Sequence, residues 1–158
     1  MSRLKELRKV VGDKLRESIT DAEKLEKAYA HLYGVSLAAT VIAERRGENS
    51  ELASMSAMLH DIAAYVNGTY DDHAHRGADL AREILLRHAL ANPREIDCIC
   101  SAIYHHDDKQ LTDEPFDEVL KDADVMHHTF DDLTKPVKDK ELARYRAIRE
   151  EFGLLVQE

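Results

Sequence analysis

The chain has 158 residues, enough for one domain with a sizeable core and short for two. Its 22 Lys and Arg against 31 Asp and Glu leave a formal charge of −9, which argues against broad capture of a nucleic-acid backbone or an anionic membrane, while leaving room for a local basic pocket around one phosphate. No apolar run approaches ~18 residues and the opening Ser-Arg-Leu-Lys-Glu lacks the character of a secretory leader, so a soluble, cytoplasmic protein is expected.

Leu4, Leu7, Val10, Val11 and Leu15 recur at spacings of three and four and predict a surface helix over 3–17. Thr20 and Glu23 have the spacing of a capping box and predict a second helix that runs to about Arg46, where Gly47 stops it. Its apolar stripe is Leu25, Ala28, Leu32, Val35, Ala39 and Ile42, with His31 at the border. Residues 49–66 read as one central, mostly buried helix, with Leu52, Met55, Leu59 and Ile62 on one side and Ala53, Ala57 and Ala64 permitting close packing. Asn67-Gly68-Thr69 ends it and delivers the chain into Asp71-Asp72-His73-Ala74-His75, the entrance of a fourth helix. Asn92-Pro93-Arg94-Glu95 opens a fifth, with Ile96, Ile99, Ile103 and His106 on its core face and His105 turned away. A sixth begins near Pro115 and carries Val119, Leu120, Ala123, Asp124, His127 and His128. A last helix over 139–152 presents Leu142, Tyr145 and Ile148. Cys98 and Cys100, two apart in a helix, point to different sides, so no disulfide is expected. The sum is an all-α, single-domain bundle of six or seven helices over 1–158.

The chemistry centres on Met58-Leu59-His60-Asp61-Ile62. Adjacent helical side chains point ~100° apart, so His60 and Asp61 cannot stack over one spot but can flank an ion at the helix edge. A carboxylate inside a buried helix is costly unless it is paired or bound to a metal. Two ligands are too few, and this chain of nine histidines offers further candidates in His31, His73, His75, His105, His106, Asp124, His127 and His128. A glycine-rich phosphate loop, a His-Glu-x-x-His pattern, a Cys-x-x-Cys pair and a serine in a nucleophile elbow are all missing from the sequence.

The order of His31, Leu-His-Asp-Ile at 59–62, Ala-Ile-Tyr-His-His-Asp-Asp-Lys at 102–109 and Leu-Lys-Asp-Ala-Asp-Val-Met-His at 120–127 resembles the HD superfamily of metal-dependent phosphohydrolases over roughly residues 25–130. The resemblance implies that His31, His60, Asp61 and Asp124 are metal ligands. It also implies that His73 and His106 are the extra histidines of a second metal or of substrate contact, with His75 and His105 as runners-up. Such a mixed N/O site suits Mn, Fe, Ni, Co or Zn better than Mg.

The expected reaction is hydrolysis of a small phosphate ester, a nucleotide by preference, through attack of a metal-bound water. Asp61, His73, His106 and Lys109 are the catalytic candidates, with Lys109 as phosphate clamp and Arg76 as a weaker choice. His127 and His128 are given supporting or packing roles. One metal is expected; two would need Asp61 as bridge. The competing reading is a non-catalytic metal- or nucleotide-binding module, distinguished by whether His73 and His106 point into the pocket. The oligomeric state is open, a homodimer included.

Overall fold

Helix starts in this chain are set by side chains that accept backbone N–H groups the helix itself leaves without partners. In the computed structural model, which describes residues 2–155, Ser2 accepts from Lys5 to open α1 (Arg3–Ser18). Asp21 accepts from Lys24 to open α2 (Ala22–Arg46), so the cap is Asp21 and not the expected Thr20. Asn49 accepts from Leu52 to open α3 (Ser50–Leu59).

The expected helix over 49–66 is broken. His60 keeps helical angles, but Asp61 leaves them at φ −104° and ψ 8°, and α4 (Ile62–Asn67) starts afresh. Gly68, at φ 70°, ends α4 in the left-handed conformation. Asp72 is also left-handed, at φ 52°, and turns the chain into α5 (His73–Arg87). The capping box of Asn92 and Glu95 opens α6 (Pro93–His105) as the sequence predicts. α7 (Pro115–Phe130), a 3₁₀ turn (Asp139–Glu141) and α8 (Leu142–Glu151) follow. All seven expected helices are present, the third in two pieces, and the described residues form one all-α bundle without strands.

Long α2 lies against α3 and α7, and α3 in turn packs on α1, α6 and α7, so α3 is the buried centre. Leu32, Val35, Ile42, Met55, Met58, Leu59, Ile62, Ile99, Ile103 and Val119 are essentially inaccessible. α5 closes over the break between α3 and α4 at Gly77, where a Cβ would stand 3.2 Å from the His60 carbonyl oxygen and 3.3 Å from Ile103 Cγ2. Val125 of α7 and Tyr145 and Ile148 of α8 form a smaller cluster between these two helices. Among the described residues no helix is long and apolar enough to cross a membrane.

A buried charge network fixes the segment between α6 and α7. Lys121 is fully buried and donates to Leu111 O and Asp113. Arg144 of α8 donates from Nε to Lys109 O at 2.7 Å and from its terminal nitrogens to Leu111 O, Glu118 and Asp122 at 2.6–3.0 Å. Removing one partner of such a network strands the others, so Arg144→Ala is expected to lower stability by ~2–4 kcal/mol in urea unfolding. The same variant should speed amide exchange over residues 107–113 before it affects α2; unchanged stability and exchange would show that Arg144 does not hold this segment.

Candidate metal centre

The two-piece helix gives His60 and Asp61 their relation. With α3 ended, the Asp61 carboxylate sits where α2, α5, α6 and α7 come together, and each of its oxygens has its own set of imidazoles. Oδ2 stands 3.2 Å from His31 Nε2 and 3.4 Å from His60 Nε2. Oδ1 stands 3.3 Å from His73 Nε2 and 3.4 Å from His106 Nε2. Asp124 Oδ1 completes the first set, 3.4 Å from His31 Nε2 and 3.5 Å from His60 Nε2. Within each set the imidazoles also meet, His31 and His60 at 3.1 Å and His73 and His106 at 3.2 Å between Nε2 atoms. For metal–ligand bonds of ~2.1 Å, neighbouring ligands stand ~3.0 Å apart in an octahedron and ~3.4 Å apart in a tetrahedron. The observed separations are edges of such polyhedra.

Two further observations fit a cation. Asp124 Oδ1 is buried and accepts no hydrogen bond, although three imidazole nitrogens, of His31, His60 and His128, lie 3.4–3.5 Å from it. Moreover, Nδ1 of His60, His73 and His106 faces the carbonyl three residues earlier, of Ala57, Tyr70 and Ile103, at 2.6–2.9 Å. A carbonyl only accepts, so each Nδ1 carries a proton, and in the neutral imidazole Nε2 is the lone-pair nitrogen that faces the centre. Divalent cations satisfy all these groups at once.

Without a cation the charges lean on one another. Burial works against a charge on His60, but Asp61 and Asp124 outweigh it and push its pKa up to about 10. Burial likewise opposes ionisation of Asp61 and Asp124, yet His60 for the one and Lys109 for the other hold them well below the ordinary carboxylate value. A hydrogen bond to Asp61 raises His73, whereas burial lowers His106.

Lys109 does not reach the cavity: its side chain is 1% exposed, and Nζ donates to Asp124 Oδ2 at 2.7 Å and to His106 O at 2.5 Å. Its apolar stem crosses the interior and its charge is spent on Asp124, which corrects the expectation of a phosphate clamp. Arg76 is likewise turned aside, donating to Thr69 O and Asp71 O. His75 stacks on Tyr104 with ring centres 4.0 Å apart and pairs with Asp72, and His105 pairs with buried Asp117 at 3.0 Å, so both stay outside the cluster. His127 touches His31 Nδ1 at 3.0 Å, and burial lowers its pKa. His128 lies parallel to His31, ring centres 5.2 Å apart, with Nδ1 on Glu141 at 2.9 Å.

Above the cluster is a cavity of about 760 Å³ whose walls include His31, Asp61, His73, His106, Asp124 and His128. Tyr65, Tyr70, Asp107 and four lysines, Lys24, Lys27, Lys138 and Lys140, also line it. No motif singles out these lysines, which lie more than 100 positions apart in two pairs and are brought together only by the fold. Lys27 pairs with Glu23 and Lys140 with Asp107, both acids at or near the rim.

The pH dependence follows from these shifts. His60, raised from 6.5 to about 10, adds stability that is complete below pH 6.5 and lost as pH rises through 10. Asp61 and Asp124, lowered from 3.8, add stability that is present above pH 3.8 and lost in more acidic solution. A metal must displace the His60 proton, so its affinity rises with pH. Thermal unfolding between pH 6 and 8.5 is expected to show the metal-free protein losing stability while the stabilisation by added Zn²⁺ or Ni²⁺ grows; a metal effect independent of pH would contradict the assignment of His60.

Comparison with known proteins agrees with the geometry. The family model described as "HD domain" matches residues 28–129, which include all six clustered residues. A crystal structure of a predicted HD superfamily hydrolase from an uncultured Thermotogales bacterium superposes with a TM-score of 0.62 at 22% identity, covering 92% of this chain and 88% of that one. At that identity the likeness speaks for the fold. A search of curated proteins finds no match. With the family model spanning well over half its length and the His-Asp pair at the break of its central helix, the chain belongs to the HD-domain family.

Proposed function

We propose that the protein is a metal-dependent phosphohydrolase acting on a small phosphate ester, with a nucleotide the favoured substrate. The observation that carries this reading is Asp61, whose two oxygens face two separate imidazole pairs at the floor of one lysine-rimmed cavity. His31, His60, Asp61 Oδ2 and Asp124 Oδ1 would hold one divalent ion, and the histidine-rich set favours Mn, Fe, Ni, Co or Zn over Mg. Such an ion, when bound, supplies Lewis acidity that activates water and offsets charge on a phosphoryl group.

The remaining work falls to the chain's own side chains. His73 and His106 both line the cavity, which supports turnover over a purely binding module. Proton occupancy decides their part. With a proton on Nε2, favoured by Asp61, His73 donates to a phosphoryl oxygen. With Nε2 free, it joins His106 Nε2 and Asp61 Oδ1 as three donors for a second ion. Lys109 acts behind the cavity, holding Asp124 ionised and in place. Positive charge for the substrate comes from the rim lysines, which bring an anion into an otherwise acidic molecule. A cavity of about 760 Å³ suits a small ligand better than a strand of nucleic acid.

Metal-loaded protein is expected to release phosphate from some member of a panel of nucleotides, sugar phosphates and phosphodiesters. Asp61→Asn should reduce kcat by ~10²–10³-fold, because it removes charge shared by both donor sets. The double variant Lys24→Ala/Lys138→Ala should raise KM about 5-fold with little change in kcat, a loss on the order of 1 kcal/mol for exposed charges. A fully metallated protein inert across the panel would overturn the hydrolase reading in favour of a binding module.

A further inference from the structure

Three of the four clustered histidines solve the same problem in the same way. An imidazole that is to offer Nε2 as a ligand must give the Nδ1 proton an acceptor, and His60, His73 and His106 use the carbonyl three residues back. Each sits at a helix boundary: His60 after α3, His73 at the start of α5 and His106 after α6. Carbonyls there are open to a side chain because the helix ladder does not fully use them. His31 lies well inside the 25-residue α2, and its Nδ1 turns to another side chain and not to a carbonyl of its own helix. It meets Nδ1 of His127, from α7, at 3.0 Å.

The seat for His127 is built into α2. A Cβ at position 34 would fall 2.0 Å from His127 Cδ2 and 2.5 Å from Nε2, so only a glycine lets the ring lie there. Gly34 is in the interior of α2, where glycine costs ~1 kcal/mol relative to alanine, and this ring accounts for it. His127 Nε2 faces Asp131 Oδ1 at 3.8 Å, which favours a proton on Nε2 and a lone pair on Nδ1. Parallel His128 covers one face of the His31 ring.

We propose that His127 is a positioning residue for the metal centre: its Nδ1 accepts the His31 Nδ1 proton, fixing the tautomer and ring plane in which His31 Nε2 faces Asp61 and Asp124, with Gly34 providing the space. This role rests on the metal-site reading above. It makes His31 the one clustered histidine among the described residues whose orientation depends on another side chain, and so the one that substitution outside the cavity can detach.

The test is Zn²⁺ affinity of the full-length chain by chelator competition, with folding checked by circular dichroism, and nitrogen-15 NMR of the imidazoles in the Zn²⁺-loaded protein. His127→Phe, which fills the seat without an acceptor, should weaken binding by ~10–100-fold. His127→Asn, whose side-chain oxygen can take the place of Nδ1, should restore most of it, and Gly34→Ala, which displaces the ring, should reproduce the loss. NMR should place the His31 proton on Nδ1 in the parent protein. Wild-type affinity in folded His127→Phe or Gly34→Ala, or a His31 proton on Nε2, would overturn the role. If His127→Phe fails to fold, the NMR tautomer and the Gly34→Ala affinity decide. Failure of the parent protein itself to take up Zn²⁺ would overturn the metal centre, and this role with it, and is distinguished by affecting parent and variants alike.

Discussion

Two carboxylates held ionised inside a helical core are the constraint that the rest of this structure answers. Asp61 and Asp124 are 6% and 5% exposed, and stranding a charge at that depth by removing its partner costs ~3–5 kcal/mol. The fold surrounds them with five imidazoles and one buried ammonium drawn from α2, α5, α7 and the segments after α3 and α6. Each group has a separate backbone or side-chain anchor behind it. Such a constellation is poor as a device for stability, because apolar packing in the same volume would serve as well. It is well suited to a cation, since the anchors aim four Nε2 atoms and two carboxylates towards one place before any ligand arrives.

The break between α3 and α4 is the structural means to that end. A continuous helix would carry His60 and Asp61 ~100° apart, where they could only flank an ion at the helix edge. At Asp61 the backbone departs from helical angles, and its carboxylate comes to lie between two imidazole pairs. Gly77 then allows α5 to close on the His60 carbonyl, which brings His73 within reach of His106. Helix ends accordingly serve twice: they position ligands, and their carbonyls hold the imidazole protons.

Much of this could be read from the sequence because it rests on local rules. Apolar spacing located the helices, the Asn92 and Glu95 capping box fixed the start of α6, and the cost of a buried acid beside His60 pointed to Asp61. The choice of His106 over His105 followed from one step of helical rotation on the Ile99 and Ile103 face. The features that escaped are those decided by distant parts of the chain. Lys109 has the composition of a phosphate ligand, and only the approach of α7 commits it to Asp124. The break at Asp61 carries no glycine or proline to announce it. Gly34 inside a helical pattern was the visible signal for a close ring contact, but the ring belongs to a residue 93 positions away, His127. The buried networks of Lys121 and Arg144 follow no short motif.

A cation site formed by the Asp61 and Asp124 carboxylates and their imidazoles has a direct crystallographic signature. Crystals grown without chelator and soaked in Mn²⁺ test it most directly, through an anomalous-difference map. The expected result is a peak bonded to His31, His60, Asp61 and Asp124 at ~2.0–2.3 Å, with room for a second peak beside Asp61 Oδ1 with His73 and His106. A fully soaked crystal with no peak at these residues, or with Mn²⁺ bound only at surface acids, would contradict it.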